Sequence, residues 1–334
     1  MDILILFIVS LVLNLLFLLK FQKITGIFKI IDKPDGNLKR HKQPVSLLGG
    51  FIILINLYLI VFLIQFFDLE YLVFKENFLY IIIILCSVLF LIGLIDDLKN
   101  LNPNIKLFLI ILSISFIIFI FPDLNLKLIK ISFLEKNFYF NNFSYIFIIF
   151  SYALLLNALN MFDGINLQLI LFSFFIFCVF IFKGFVPIFF ILLLIPMIIL
   201  AILNYKNKIF LGDSGSYVLG GIIGTTFIYQ YKNYENFLYG DEVFLILLIP
   251  AIDMLRLFVL RLLNKKNPFK GDLNHLHHLV QNLINNQNKT VLLTLSICIL
   301  PTIFLMLNVN TIFTLIINLM IYLSLITYLG SKRK

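Results

Sequence analysis

The sequence predicts an all-α polytopic integral membrane protein: a single domain over residues 1–334 with about 10–11 transmembrane helices, the N-terminus outside and the C-terminus cytoplasmic. Three observations carry that expectation. Of the 334 residues, 61% are hydrophobic and 13% charged, where an ordinary soluble domain has about a quarter charged. Apolar runs approaching the roughly 17–25 residues needed to cross a hydrocarbon core recur about eleven times. Lys and Arg divide 20 to 6 between alternate sets of loops, which sets orientation because cytoplasmic loops carry the excess of positive charge.

The runs fall near 3–19, 47–66, 79–95, 107–121, 144–160, 169–182, 185–203, 215–230, 242–260, 291–308 and 311–329. The first has no basic segment ahead of it and no small-residue cleavage site before Lys20, so it is expected as a retained helix and not a signal peptide. Cys86, Cys178 and Cys298 all sit inside apolar runs without metal-ligand or disulfide spacing, and are expected to be packing residues. No internal repeat is evident and no soluble domain fits between the runs. The net charge of +9 follows from topology, so no nucleic-acid partner is implied. Its secondary effect is attraction for anionic lipid or a phosphorylated substrate.

With this orientation the outer loops, Phe67–Asn77, Asp123–Asn142 and Tyr231–Glu242, hold little chemistry, although the partial alternation of LNLKLIKISF predicts a short hairpin. The inner loops, near 20–46, 96–106, 157–168, 204–216 and 261–290, each carry a cluster of acids, amides or histidines, and together they predict one catalytic face. The first contains IDKPDGNLKRHKQPVSLLGG, cationic through Lys33, Lys39, Arg40, His41 and Lys42. It is punctuated by Pro34, Gly36, Pro44, Gly49 and Gly50 as turns entering a helix. By itself it reads equally as a charged anchor.

The second inner loop begins with Asp96 and Asp97 and reaches Lys106. Adjacent carboxylates cannot share one helix face, so one is expected to point into a cavity and the other along the surface. Hard oxygen ligands of this kind select magnesium or manganese. In the third, NALNMFDGINLQ, Asn157, Asn160 and Asp163 recur every third residue and so line one side of a helix leaving the membrane, with Gly164 expected to allow a sharp turn. The fourth, NYKNKIFLGDSGS, runs from Asn204 and brackets Asp213 with Gly212 and Gly215. Free amides at such a helix start can hold phosphate, and a helix-capping role for Asp213 is the alternative.

The fifth places His275, His277 and His278 within four residues, after Asp272 and among Arg261, Lys265, Lys266 and Lys270. A zinc site is one reading, but no cysteine and no HExxH spacing supports it. Histidines contacting phosphate fit the cationic setting better. Inside the ninth run, Asp253 and Arg256 stand three apart and are expected to pair, since charge in a bilayer is costly.

In order and spacing, RHKQPVSLLGG, DDLKNLNPNIK, NALNMFDGIN, FLGDSGS, PAIDMLR and HLHH resemble the polytopic polyprenyl-phosphate N-acetylhexosamine-1-phosphate transferases. That family includes UDP-GlcNAc:undecaprenyl-phosphate GlcNAc-1-phosphate transferases and MurNAc-pentapeptide translocases. The resemblance covers Asp32 to His278. It implies a Mg2+-dependent transfer, with Mn2+ as substitute, of a sugar-1-phosphate from a UDP-N-acetylhexosamine, most simply UDP-GlcNAc, to undecaprenyl phosphate. UMP would leave, and the polyprenyl-diphosphate sugar would serve cell-envelope polysaccharide synthesis.

By the same resemblance Asp96, Asp97 and Asp163 are catalytic, Asp213 with Asp96 binds the metal, and Lys106, Asn157, Asn160, Asn204, His275, His277 and His278 bind substrate. The implied setting is the bacterial inner membrane with the site facing the cytoplasm, the lipid bilayer as partner, and a homodimer through membrane helices compatible. The HLHH form resembles the sugar-phosphate branch more than the translocase branch. Ser46, Ile110 and the pair Asn166 and Leu167 depart from the family's Pro, Gln and Asp-Gly, which leaves the sugar open. The competing class is a transporter or lipid flippase, which would place its ionisable groups near the bilayer midplane within inverted repeats.

Overall fold

The computed structural model describes residues 2–28, 30–32, 43–67, 69, 77–185, 187–233, 238–269 and 271–332. The loop cations Lys33, Lys39, Arg40, His41 and Lys42, the turn residues Pro34 and Gly36, and Lys29, Lys75, Lys270, Arg333 and Lys334 lie outside the described residues.

The chain is helical almost throughout. In order it forms α1 (Asp2–Leu19), α2 (Phe21–Phe28), α3 (Gly49–Phe66), α4 (Asn77–Lys99), α5 (Pro103–Ile120), α6 (Ser144–Phe162) and α7 (Gln168–Phe182). There follow α8 (Pro187–Tyr205), α9 (Gly212–Asn233), α10 (Gly240–Ile246), α11 (Leu248–Leu263), α12 (Leu276–Ile284), α13 (Gln287–Met306) and α14 (Thr311–Ser331). Two antiparallel two-residue strands, β1 (Ile31–Asp32) and β2 (Val45–Ser46), one hairpin, β3 (Leu128–Ile131) with β4 (Lys136–Tyr139), and three short 3-10 helices at Pro122–Leu124, Ser132–Leu134 and Asn141–Phe143 complete the described elements. The hairpin is the one expected from LNLKLIKISF.

Helices dominate because a bilayer core offers no water to backbone N–H and C=O groups, which must be satisfied within the segment. Among the described residues, seven helices are long and apolar enough to span: α3, α4, α5, Asn141–Phe162 (which takes in α6), α8, α13 and α14. Two bent pairs, α1 with α2 and α10 with α11, bring the number to nine, and α7 is a shorter apolar helix. The protein is a multi-pass membrane protein. Helix α9, less apolar, is buried from Ser214 to Phe227, so packing against protein takes the place of hydropathy in holding it.

Two segments differ from the sequence expectation. The run at 242–260 is broken between α10 and α11 by a bend of 76°. Pro250 explains the break, because it has no N–H to offer the carbonyl of Ile246, the last residue of α10. The fifth inner loop contains a helix, α12, whose buried face is Leu276, His277, His278, Leu279 and Val280.

The chain divides into two compact units, residues 1–113 with 173–225, and residues 114–172 with 226–334. In the first, α3 packs against α1, α4 and α8. Asn14 and Asn56 exchange amide hydrogen bonds of 2.6 and 3.2 Å between α1 and α3, a polar pair that fixes their register inside an apolar interface. Strand residue Ser46 bridges Ile209 in parallel, and the amides of Gly49 and Gly50 donate to the carbonyls of Phe210 and Leu211. Gly49 and Gly50 therefore begin α3, and a side chain at Gly50 would meet the backbone of Gly215 at 2.5 Å. Close approach of two backbones, not a turn, requires glycine there.

In the second unit α11 packs on α6, and α13 packs against α10, α12 and α14. Asn286 and Asn310 cap α13 and α14 through their side-chain oxygens. The hairpin is tied down by Asp241, which accepts from the amide and hydroxyl of Ser132 at 3.0 and 2.5 Å. All three cysteines are free; Cys86 and Cys298 are buried packing residues, and Cys178 is partly buried.

Candidate active site

In the first unit the paired aspartates occupy the last turn of α4, where negative charge opposes the helix dipole and needs compensation. Each receives it differently. Asp96 accepts from the backbone of Leu101 at 2.7 Å and from the Lys106 ammonium at 2.7 Å, closing the turn into α5. Asp97 accepts from the amides of Asp213 at 2.8 Å and Ser214 at 3.1 Å. It thus supplies, from another helix, the N-cap that α9 would otherwise lack. The adjacent carboxylates do diverge, as expected, but the second points at a helix start and not along the surface.

Lys106 also bonds the carboxylate of Asp213 and lies 5.2 Å from the centre of the Tyr217 ring. Asp96 and Asp213 therefore converge on one cationic group, with side chains 12% and 29% exposed, open enough for a solute to reach. Gly212, with φ +73°, takes a conformation that only glycine adopts without strain, and a side chain there would strike the Asp97 carboxylate. Asn204 is buried and donates to the carbonyl of Ile209 at 2.8 Å, holding the turn that leads to Asp213. The cap of α9 is Asp97 and not Asp213, and the two amides available for phosphate at that helix start are already engaged.

In the second unit Asn157 and Asn160 lie on α6, and Asp163 is its C-terminal cap residue, its amide donating to the carbonyls of Leu159 and Asn160. Asn157 donates to the carbonyl of Ala153 at 2.8 Å. The sharp-turn role expected of Gly164 falls instead on Leu167, with φ 72°. What Gly164 provides is room: a side chain there would overlap Nε2 of His277. The α6 exit and the histidine motif are thus in contact.

His277 is 1% exposed, and its Nε2 has no hydrogen-bond partner among the described residues. Burial first, then the rings of His278 and His275, hold its pKa well below the ordinary imidazole range, so the ring is neutral at neutral pH. His275 stacks on it at 5.6 Å and is oriented through Nδ1 by Asp253 at 2.8 Å. Asp253 pairs with Arg256 at 2.8 Å, as the sequence led us to expect.

The same carboxylate accepts from the Tyr322 hydroxyl at 2.7 Å and from the amide of Leu276, the first residue of α12. Arg256 in turn donates to the carbonyl of Asn274 at 2.7 Å. The loop below is folded by Arg261, which donates to Asp272 at 2.9 Å and to the carbonyl of Pro268 at 2.8 Å. For Asp272, burial acts to raise the pKa but is outweighed by Arg261, the Asn274 amide and His275 together, and the net shift is downward.

Tyr322 and the capping use of Asp253 are absent from the sequence reading; a hydroxyl inside the last apolar run is the one signal that could have raised Tyr322. Among the described residues no group of three or more His, Cys, Asp or Glu side chains is arranged to hold a metal. Two hard-oxygen ligands converging on one cation do fit magnesium, which is commonly held by one or two carboxylates together with substrate phosphates.

The model of glycosyl transferase family 4 matches residues 79–231, the stretch that carries Asp96, Asp97, Lys106, Asp163 and Asp213. Similarity to whole proteins extends well beyond it. The chain is similar to members of that family over most of its length. It is 24% identical over 307 residues to the undecaprenyl-phosphate alpha-N-acetylglucosaminyl 1-phosphate transferase of Escherichia coli strain K12, covering 86% of this chain and 79% of that protein. The protein of the same name from Thermotoga maritima is 26% identical over 281 residues, 80% of this chain and 78% of that one. The phospho-N-acetylmuramoyl-pentapeptide-transferase of Dictyoglomus thermophilum is 29% identical over 227 residues, 62% of this chain and 66% of that protein.

Proposed function

We propose that this protein, similar to glycosyl transferase family 4, transfers an N-acetylhexosamine-1-phosphate, GlcNAc-1-phosphate in the first instance, from its UDP derivative to undecaprenyl phosphate, with release of UMP. The observation that carries the reading is the convergence of Asp96 and Asp213 on Lys106 within the segment matched by the family model. The names of the full-length relatives supply the acceptor and the sugar. The similarity to these transferases favours the transferase over the transporter reading. On the charge bias of the loops the site faces the cytoplasm at the inner membrane, and the product serves cell-envelope polysaccharide synthesis.

In this reading an oxygen of the lipid phosphate attacks the sugar-bearing β-phosphorus, the bond to the bridging oxygen breaks, and UMP carries that oxygen away. A phosphate monoester is already largely ionised at neutral pH, so no side chain is needed to deprotonate it and direct attack is favoured over a phospho-aspartate. Asp96 and Asp213 would hold Mg2+, which when bound offsets charge on the diphosphate. Lys106 offers an ammonium to the same phosphates. Asp97 keeps Asp213 in place by fixing the α9 start. The neutral His277, its Nε2 unpartnered and beside Gly164, is a hydrogen-bonding group for substrate next to Asp163. His275 is held in one orientation by Asp253.

The test is UMP release by the purified protein from UDP-GlcNAc, undecaprenyl phosphate and Mg2+, each omitted in turn. UMP is expected only when all three are present. No UMP from any UDP-N-acetylhexosamine in a panel would overturn the reading, and activity with another sugar alone would replace GlcNAc.

A further inference from the structure

Beside the β3–β4 hairpin in the second unit lies a cavity of about 520 Å3, lined by none of the motif residues. It sits where α6 begins. Asp163 and the contact with His277 are at the other end of that 19-residue helix, about 28 Å away. Three lysines line it, Lys127, Lys130 and Lys232, together with tyrosines that include Tyr145 and Tyr231. These are half of the six lysines left in the outer loops by the charge bias. A face otherwise poor in positive charge has concentrated it at one recess.

The charge there is largely uncompensated. Lys232 meets Asp123 at 3.1 Å, but both side chains are more than a third exposed, and such surface pairs are weak. Lys127 and Lys130 form no ion pair among the described residues. Of the other nearby acids, Asp241 is engaged by Ser132 and Glu242 by the amide of Tyr239. The recess is also preorganised: the Tyr231 hydroxyl bonds both the amide and the carbonyl of Lys130, and Gly240 packs against Ile129 of the hairpin.

Asn125, a further lining residue, is 5% exposed, and its side-chain oxygen has no hydrogen-bond partner among the described residues. A buried acceptor without a donor is costly unless a ligand supplies one. Lysines call for an anion and Asn125 for a hydroxyl. Leu126, Leu128 and Leu238 in the wall, and tyrosines at the ends of spanning helices where they favour the membrane interface, call for a partly apolar molecule at headgroup depth.

We propose that this cavity binds a phosphate ester bearing a free hydroxyl, supplied by the headgroup of an anionic phospholipid. The experiment is native mass spectrometry of the full-length protein titrated with phosphatidylglycerol or phosphatidylcholine, with glycerol phosphate as soluble competitor. Phosphatidylglycerol is expected to bind the parent preferentially. Lys127→Gln, Lys130→Gln and Lys232→Gln should each weaken it roughly fivefold, and the triple variant roughly a hundredfold, as for basic groups near an anionic membrane surface.

Lys136→Gln and Lys183→Gln, exposed lysines away from the cavity wall, should change it by less than about twofold. Asn125→Leu should lower affinity for phosphatidylglycerol more than for phosphatidic acid, which lacks the hydroxyls. Melting curves and turnover of the lysine variants should match the parent. A triple variant that binds as the parent does, or control lysines that matter equally, would overturn the site. Binding of glycerol phosphate without binding of the lipid would overturn the lipid as occupant.

Discussion

Replacing Asp97 separates the roles of two neighbouring acids. Its two oxygens receive the amides of Asp213 and Ser214, so Asp97→Ala strips both donors of their partner at a buried helix start. Leaving one buried donor unsatisfied costs about 1–3 kcal/mol, and losing an N-cap about 0.5–2 kcal/mol. Because the two descriptions overlap, a loss of about 2–4 kcal/mol is expected, which lowers the apparent melting temperature by roughly 3–6 °C in a chain of this size. Asp97→Asn keeps one acceptor oxygen and should lose about half as much.

The kinetic readout distinguishes positioning from metal binding. For Asp97→Asn, kcat should fall while the Mg2+ concentration giving half-maximal UMP release stays as in the parent. For Asp96→Asn and Asp213→Asn, whatever the change in melting temperature, activity should be lost or demand more Mg2+. An Asp97→Asn protein with unchanged melting and a raised Mg2+ requirement would refute the assignment of Asp97 to the α9 start.

Three further outcomes follow. Gly164→Ala should cost about 1–3 kcal/mol by overpacking against His277 and lower turnover strongly; combining it with His277→Ala should restore the melting temperature, since the overlap is with that ring. His277 has a depressed folded pKa, so below its ordinary value of about 6.5 the unfolded chain binds the proton first. The stability it contributes is present above that pH and fades as pH falls towards the folded value, and His277→Gln should flatten melting temperature between pH 7 and pH 5. A single cysteine at the exposed position Lys266→Cys should react with a membrane-impermeant maleimide only in inverted vesicles, and labelling of intact cells would reverse the orientation.

Much of the fold was legible because the bilayer imposes simple rules: run length for spans, alternation for the β3–β4 hairpin, charge cost for the Asp253–Arg256 pair. The chemical residues were legible as clusters, and their division of labour was not. Nothing in the dipeptide Asp96–Asp97 says which carboxylate turns towards α9, since that depends on how α4 and α9 pack, with Gly93 set against the backbone of Ser214. Gly164 was read as a turn residue because glycine usually signals backbone freedom, whereas its role lies in the space left to a ring 113 positions later. Helix α12 was hidden in a loop by its short length and polar composition, and its start by an acid supplied from α11. The break before α11 had a local signal, Pro250, which the surrounding apolar residues obscured.

Two of the helices that carry motif residues, α9 and α12, each begin on a carboxylate from an earlier segment: Asp97, 116 residues before Asp213, and Asp253, 23 residues before Leu276. Synthesis therefore delivers each acid to the ribosome exit before the amides that will meet it. Both helices are completed backwards in time, by docking onto a segment already made, and neither acquires its finished start during its own emergence. A chain interrupted before α9 would hold Asp97 with no amides to receive, and one lacking α4 would leave α9 frayed at Asp213.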